Sequence, residues 1–488
     1  MQKLHTLIHS LSPSEKRYFK LFAQRQVQNK TTHYYKLFEA INQQSLYDEN
    51  ELLKKFRRES FVKHFAVTKN YLFGLILKSM QEYNEEHFVE WKIRNQYSQI
   101  KILASKGLDA ETEHLIKKTK ELAWQYEYYH IIMDILHNEK YLFGNFRIYE
   151  QSAEVFDIIV KEDLLAFELA TVIMQCGHTW HLLTLLELEI GVVEDALIKK
   201  QADALVAVAH MQQVPHTSYN AKFRYYATWS LYYNIINDQL KNYDCCKQCI
   251  LIREEQISKQ PLLNMDPLAS YYNFLVSCEK ANRWDDFEYY LNKTKDYPAP
   301  TIEINIRRMH NYCWCGLMYY LHQENYMAAK KIVDEYKAFF IDKKISYRKD
   351  FKLFIEACCG LVCFFTKDYT GAFKWWNEIL NNKLPKIELR TQGAVRLYAM
   401  IAHWEENNFD MIPYLAAHAK KYLQSISMFH EAEELFISRI IKAANLTSKK
   451  NRDAALADLY KEMNEKKLSI SGNAVNQYLL NWLKQFNV

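Results

Sequence analysis

Three groups of residues in this 488-residue chain have types and spacings suited to chemistry. Thiols cluster at Cys245, Cys246 and Cys249, at Cys313 and Cys315, and at Cys358, Cys359 and Cys363. The Cys246-x-x-Cys249 spacing is that of zinc ligands, and two further ligands from another helix would complete a tetrahedral site. The competing reading is that Cys246 is a small core residue, because alanine fills the same position in related segments of the chain. His178-x-x-His181 presents a similar choice between metal ligation and a partly buried pair on a helix. The carboxylate pairs Glu405-Glu406 and Glu433-Glu434 would need raised pKa values for acid–base work, and their places near turns or on polar faces make solvation the expectation. No metal and no cofactor is expected.

The motifs of common enzymes are missing. A phosphate-binding loop needs closely spaced glycines so that backbone N–H groups can approach the phosphates. Here the two nearest glycines are Gly360 and Gly371. There is no G-x-S-x-G elbow, and His430-Glu431-Ala432-Glu433-Glu434 lacks the second histidine of a zinc-protease helix. A non-enzymatic protein is the expectation.

The elements that would carry these residues are helices. Ten glycines and eight prolines are few for this length, which favours long helices and short connections. The first 86 residues read as a separate helical module. Ser12-Pro13 starts one helix, with Tyr18, Phe19, Leu21 and Phe22 as its apolar face. Others are expected from Thr32 to Gln43, from Asp48 to Arg58 and from Val62 to Tyr83. Residues 1–80 carry a net charge of +8 and the rest −3, with Lys54, Lys55, Arg57 and Arg58 as the densest run and Lys63 and Lys69 beyond it. Such asymmetry marks either an arm that meets an acidic partner or a solvated face. No signal peptide is legible at the N-terminus. No apolar run reaches the ~18 residues of a membrane span, and the apolar stretch Leu164–Val193, broken by polar residues, reads as a buried helix pair. A cytoplasmic chain with reduced thiols follows.

From residue 87 a unit of about 42 residues recurs. Its anchors are Tyr243, Trp284, Tyr326, Tyr369 and Phe409. Three positions beyond them come Cys246, Phe287, Ala329, Ala372 and Ile412. Seven positions beyond come Ile250, Leu291, Val333, Trp376 and Ala416. These positions share one face of a helix. The residue before each anchor, Asn242, Arg283, Asn325, Asp368 or Asn408, reads as a turn. A longer helix precedes each turn. The same spacing extends back to Leu108, Tyr149 and Val193, with a longer linker near Val214–Tyr219. It extends forward to Asn451, with Ala454 as its packing residue. A last helix, Asn473–Phe486, with Val475, Leu479, Trp482 and Phe486 inward, is expected to cap the end of the stack.

The stretches Asn325-Tyr326-Met327-Ala328-Ala329 and Lys367-Asp368-Tyr369-Thr370-Gly371-Ala372 resemble the second helix of the tetratricopeptide repeat. The period here is about 42 residues against about 34 in that family. The resemblance implies an all-α fold, an α-solenoid of antiparallel helix pairs wound into a right-handed superhelix. It divides the chain into a basic module (1–86), repeats (87–446), and a degenerate last repeat with a capping helix (447–488). It also implies binding of proteins or peptides in a groove. Arg307, Asn311, Arg348, Lys352 and Arg390 on the first helices are the candidate contacts. The alternative is a ligand-sensing regulator, a layout like that of bacterial peptide-sensing regulators, whose residues 1–86 bind nucleic acid. No membrane partner is expected.

Overall fold

The computed structural model describes residues 3–26, 31–145, 153–188, 195–208, 211–213, 218–263, 265–342, 345, 349–381, 389–466, 468 and 478–487. Every regular element among them is helical. The chain divides into two compact units, Met1–Pro267 and Leu268–Val488.

The first unit opens with α1 (Lys3–Ser10), α2 (Pro13–Gln26), α3 (Thr31–Gln43), α4 (Glu49–Lys55) and, after a 3₁₀ turn, α5 (Phe65–His87). α1 was not legible as a helix; its Leu4 and Ile8 are buried. α2 starts with a reciprocal cap. Ser12 Oγ accepts from the Glu15 N–H at 3.3 Å, and the Glu15 carboxylate accepts from the Ser12 N–H at 2.7 Å. Phe19, Phe22, Phe38, Ile41, Leu52 and Phe56 form a core made only of residues 4–83. Leu21, expected inside, is 47% exposed.

The unit continues with α6 (Val89–Ser105), α7 (Asp109–Gln125), α8 (Tyr129–Gly144), α9 (Ala153–Glu187), α10 (Asp195–Val206), α11 (Tyr219–Ile235) and α12 (Gln239–Lys259). Sequential helices pack on one another, and α9 also packs on α11. The 42-residue spacing fails between residues 129 and 218. In place of a buried pair stands α9, one continuous helix of 35 residues. Tyr149 and Val193 lie outside the described residues, as does 214–217 of the expected linker. A buried ion pair ties α7 to α8: Lys120 Nζ lies 2.9 Å from the Glu139 carboxylate and 2.8 Å from that of Glu162 on α9.

Among the described residues the second unit holds five helix pairs and a short last helix: α13 (Leu268–Lys280) and α14 (Trp284–Lys295), α15 (Ile302–His322) and α16 (Tyr326–Tyr336), α17 (Lys349–Phe365) and α18 (Tyr369–Asn381), α19 (Leu389–Glu405) and α20 (Ile412–Ser425), α21 (Glu431–Ala444) and α22 (Lys449–Glu465), then α23 (Tyr478–Lys484). The periodic apolar positions are the pair interfaces. Phe287, Ala329, Ala372 and Ile412 are 0–1% exposed, and Leu291, Val333, Trp376 and Ala416 are 0–2% exposed. The anchors Trp284, Tyr326, Tyr369 and Phe409 are only half-buried. The rings of Trp284 and Tyr326 lie on the following helix, on His322 at 4.2 Å and on Phe365 at 4.6 Å, whereas Tyr369 and Phe409 meet Phe364 and Trp404 on the preceding one. Phe409 sits in a 3₁₀ turn ahead of α20, edge-on to Trp404.

The turns sit one residue earlier than expected. Asn282, Glu324, Lys367 and Asn407 adopt positive φ of 53–61°. Arg283, Asn325, Asp368 and Asn408 follow them as helix caps; the Asn325 and Asp368 side chains accept from the N–H groups of Ala328 and Gly371. At Tyr243 the difference is a full turn of helix. α12 begins at Gln239 after left-handed Asn237, so Asn242 is a buried helical residue, accepting from Ser230 Oγ at 2.9 Å. In the last pair the spacing also fails. Asn451 lies in the first turn of α22, whose cap is Ser448. Ala454 is exposed, and Leu456, Leu459 and Met463 are buried instead.

Two glycines let paired helices touch. A Cβ on Gly316 would collide with the Ile332 side chain, and one on Gly360 would lie inside the indole of Trp376. Trp376 is fully buried and its Nε1 donates to the Ala357 carbonyl at 3.3 Å, so it has nowhere to move. Gly360→Ala is expected to lower unfolding free energy by about 3 kcal/mol. Gly371→Ala, which meets only the exposed Asp368 side chain, is expected to lower it by less than about 1 kcal/mol. Urea denaturation of both variants checks this; equal midpoints would show that the contact does not constrain the pair.

Candidate partner-binding surfaces

The second helices of the second unit are buried on one side. α16 buries Ala329, Ile332, Val333 and Tyr336, and α18 buries Ala372, Trp376 and Ile379. Their partners differ. Every residue of α17 from Leu353 to Phe364 is buried, as is nearly all of α19 from Thr391 to Ala402. A helix that is apolar all round must be covered on both sides. The second helices cover one side.

Part of the other side belongs to α23. Its Tyr478, Leu479, Trp482 and Leu483 are 0–3% exposed. Tyr478 Oη donates to the Met318 carbonyl on α15 at 3.5 Å. Trp482 Nε1 donates to a Glu405 carboxylate oxygen at the end of α19 at 2.7 Å, and the Gln485 amide donates to the same oxygen at 3.2 Å. The Trp482 ring meets Trp404 and Phe436 edge-on. Lys484 lies 3.5 Å from Glu324 beyond α15. α23 also packs on α22. It therefore rests on helices of three different pairs and does not merely close the last one. Val475 lies outside the described residues, and Phe486 is half-buried against Trp482.

The expected contact residues are dispersed. Arg307 is exposed on α15. Asn311 is 4% exposed and its amide donates to the Leu268 carbonyl at 2.7 Å, which ties α15 to α13. Lys352 is half-exposed and lies 3.5 Å from Glu356. Arg390 is in the first turn of α19, and Arg348 lies outside the described residues. In the basic module Lys54, Lys55, Arg57 and Arg58 are all exposed, and none has an acidic partner among the described residues. Lys69 is withdrawn from that patch: it lies 2.6 Å from Glu49 and 5.1 Å from the Phe65 ring centre. The exposed face of α5 carries Val67, Asn70, Tyr71 and Leu77 beside the single cation Lys78.

The thiols and carboxylates have structural places. Cys246 and Cys249 are buried between α11 and α12, with Cys246 Sγ 3.0 Å from Ser230 Oγ. Burial pushes the Cys249, Cys315 and Cys359 thiols well above the ordinary range and Cys176 up to about 11, away from nucleophilic thiolate. No group of three or more potential metal ligands occurs among the described residues. His178 and His181 are exposed rather than partly buried. Glu433, expected to be solvated, is fully buried; it is the third residue of α21 and accepts from the His430 backbone N–H at 3.1 Å. The His-x-x-Glu spacing of that cap was available in the sequence. Among the described residues, no helix is long and apolar enough to cross a membrane. The chain matches no family model, no curated protein and no solved structure.

Glu356, inside α17, is 1% exposed. Burial raises its pKa to about 7, with the Lys352 ammonium and the Tyr336 hydroxyl opposing the rise. A carboxyl whose folded pKa is raised binds its proton more tightly folded than unfolded. Its stabilising contribution is present below pH 4.5 and is lost as pH climbs through about 7. Glu356→Gln is expected to remove that loss, so the variant should gain on the order of 3 kcal/mol over the wild type between pH 4.5 and pH 8. Denaturation midpoints across that range check the sign; parallel pH profiles would refute the burial effect.

Proposed function

We propose that this chain is a non-enzymatic helical-repeat protein that binds a partner protein or peptide. The partner presents an amphipathic helix to the face of the second unit built by α15, α19 and α21. The observation that carries this reading is α23, a helix with Tyr, Leu and Trp on one side, seated on that face. Helix-in-groove recognition uses anchors at the spacing of Tyr478, Leu479, Trp482 and Leu483. The helix pairs, with left-handed turn residues 45, 42, 43 and 40 positions apart from Asn237 to Asn407, support a stack of antiparallel pairs, a solenoid of the tetratricopeptide kind. A reducing cytoplasm suits ten cysteines that are all free thiols.

A fluorescent peptide of residues 478–488 tests this reading. It is expected to bind saturably to a chain ending at residue 477 and at least tenfold more weakly to the full chain, where α23 competes. Trp482→Ala in the peptide is expected to weaken binding at least tenfold, as the loss of a buried aromatic anchor of about 2 kcal/mol would. A truncated chain with native circular dichroism that ignores the peptide would end this reading.

A second reading rests on the exposed, unpaired cations of residues 54–58: the basic module binds nucleic acid. Phosphate contacts release counterions, so affinity must fall with salt. Binding of the full chain to duplex DNA and to RNA is expected to show a steep salt slope. Joint substitution of Lys54, Lys55, Arg57 and Arg58 by alanine is expected to flatten that slope by about 3–4 logarithmic units per decade. Absence of binding at 50 mM salt, or a slope that the substitutions leave unchanged, would remove this alternative.

A further inference from the structure

α9 is the longest described helix, and part of its apolar surface is exposed. Ile159, Ala166, Leu169, Cys176, Leu183 and Leu186 are buried, and the helices that pack on α9 are α8, α10 and α11. On another face Leu164 is 64% exposed, Phe167 62%, Met174 53%, Leu185 62%, and Leu188, just past the helix end, 62%. No formally charged residue occurs between Glu168 and Glu187.

The spacing of this stripe identifies what it fits. From Leu164 its members follow by alternating steps of three and four residues, with Thr171, His178 and His181 completing the series. That is the 3.5-residue period of a seam between two helices. Folded about its middle, the series pairs residues of like character at three of its four pairs. Leu164 mirrors Leu188, Phe167 mirrors Leu185, Thr171 mirrors His181, and Met174 mirrors His178. Apolar residues lie at both ends, and three of the four central members, Thr171, His178 and His181, are polar, with Met174 the apolar exception. A helix laid antiparallel on its own copy brings these mirror positions together.

We propose that α9 is a dimerisation helix, pairing antiparallel with α9 of a second copy of this chain about a two-fold axis between Met174 and His178. A two-fold interface must be self-complementary, and the mirrored series meets that demand. The stripe is about 36 Å long at 1.5 Å per residue. With Leu182 beside it, also exposed, its area is of the order of the ~800 Å² per partner of a standard interface. Gly177 sits on its flank, and a Cβ there would meet nothing within 4 Å, so a second backbone can approach. A lipid surface would be served by an apolar centre, whereas this stripe is most polar in the middle. An unrelated helix would require no mirror symmetry.

Sedimentation equilibrium of the full chain tests the proposal through Phe167→Glu and Leu185→Lys, both at exposed positions. The wild type is expected to be a dimer. Each single variant is expected to dissociate at least tenfold more readily, with circular dichroism unchanged. The combined variant is expected to regain affinity, because antiparallel pairing sets each introduced carboxylate against an introduced ammonium of the other copy. A parallel pair would set like charges together and leave the combined variant the weakest; that result overturns the proposal. A monomeric wild type at all concentrations also overturns it, as does a dimer indifferent to both single substitutions. Binding of a monomer to phosphatidylcholine vesicles would assign the stripe to a lipid surface instead.

Discussion

A pair of backbone hydrogen bonds at the end of a helix is the constraint on which the rest of the structure depends. At Asn325 the N–H bonds back to the carbonyl of Tyr320 at 2.8 Å, and at Glu324 the N–H bonds to that of Leu321 at 3.2 Å. The same two bonds close the turns at Gly107, Glu127, Asn237, Asn282, Lys367, Asn407 and Ser427. This is the Schellman arrangement, and it needs one left-handed residue. Only one of these eight residues is glycine. A side chain in that region costs about 1–2 kcal/mol, so these turns are held against a local preference. The compensation is tertiary: each turn delivers a second helix onto the first at a fixed phase, and the packing that follows keeps the turn in place.

Fixing the phase decides which residues meet, and hence which sizes are allowed. Ala329 and Ala372 stand where the paired helices approach closely, both fully buried. Across from them the first helix is notched as well, at Gly316 for Ile332 and at Gly360 for Trp376. At Gly316 the side chain that enters is an isoleucine, and at Gly360 it is an indole. The clustered thiols belong to the same logic. Cys313, Cys315, Cys358 and Cys359 are 0–2% exposed on α15 and α17. There they act as small, slightly polarisable fillers between helices that are covered on two sides.

Much of this could be read from the sequence because it is periodic. The buried positions Phe287, Leu291, Ala329, Val333, Ala372 and Trp376 recur at a helical period, and local pattern sufficed to find them. The turn residues were displaced by one position because the pattern marks the cap that follows, Asn325 or Asp368, whose side chain bonds the next helix. The residue that bends, Glu324 or Lys367, has no compositional signature when it is not glycine. The seat of α23 was hidden for a different reason. Trp482 bonds to Glu405 across 77 residues, and no local pattern reports such a pairing. A partial signal existed in the run Leu353–Phe364, which is apolar or small on every side but for the single charged residue Glu356 and so announced that α17 has two neighbours rather than one. Glu405 itself looked like one of a solvated pair because its partner was out of view.

The break in the period at residues 129–218 carries the converse lesson. In the regular stretches each second helix lays its apolar face on the first helix of its pair. α9 replaces two such helices by one of 35 residues, and a helix twice the usual length cannot bury both halves against neighbours of ordinary size. Its inner face is satisfied by α8, α10 and α11. Its outer face retains Leu164, Phe167, Leu185 and Leu188 at a seam period. Apolar residues that merely survived from a lost partner would have no reason to be mirrored about Met174 and His178. The mirror relation is the property that separates a retained contact surface from an unused one.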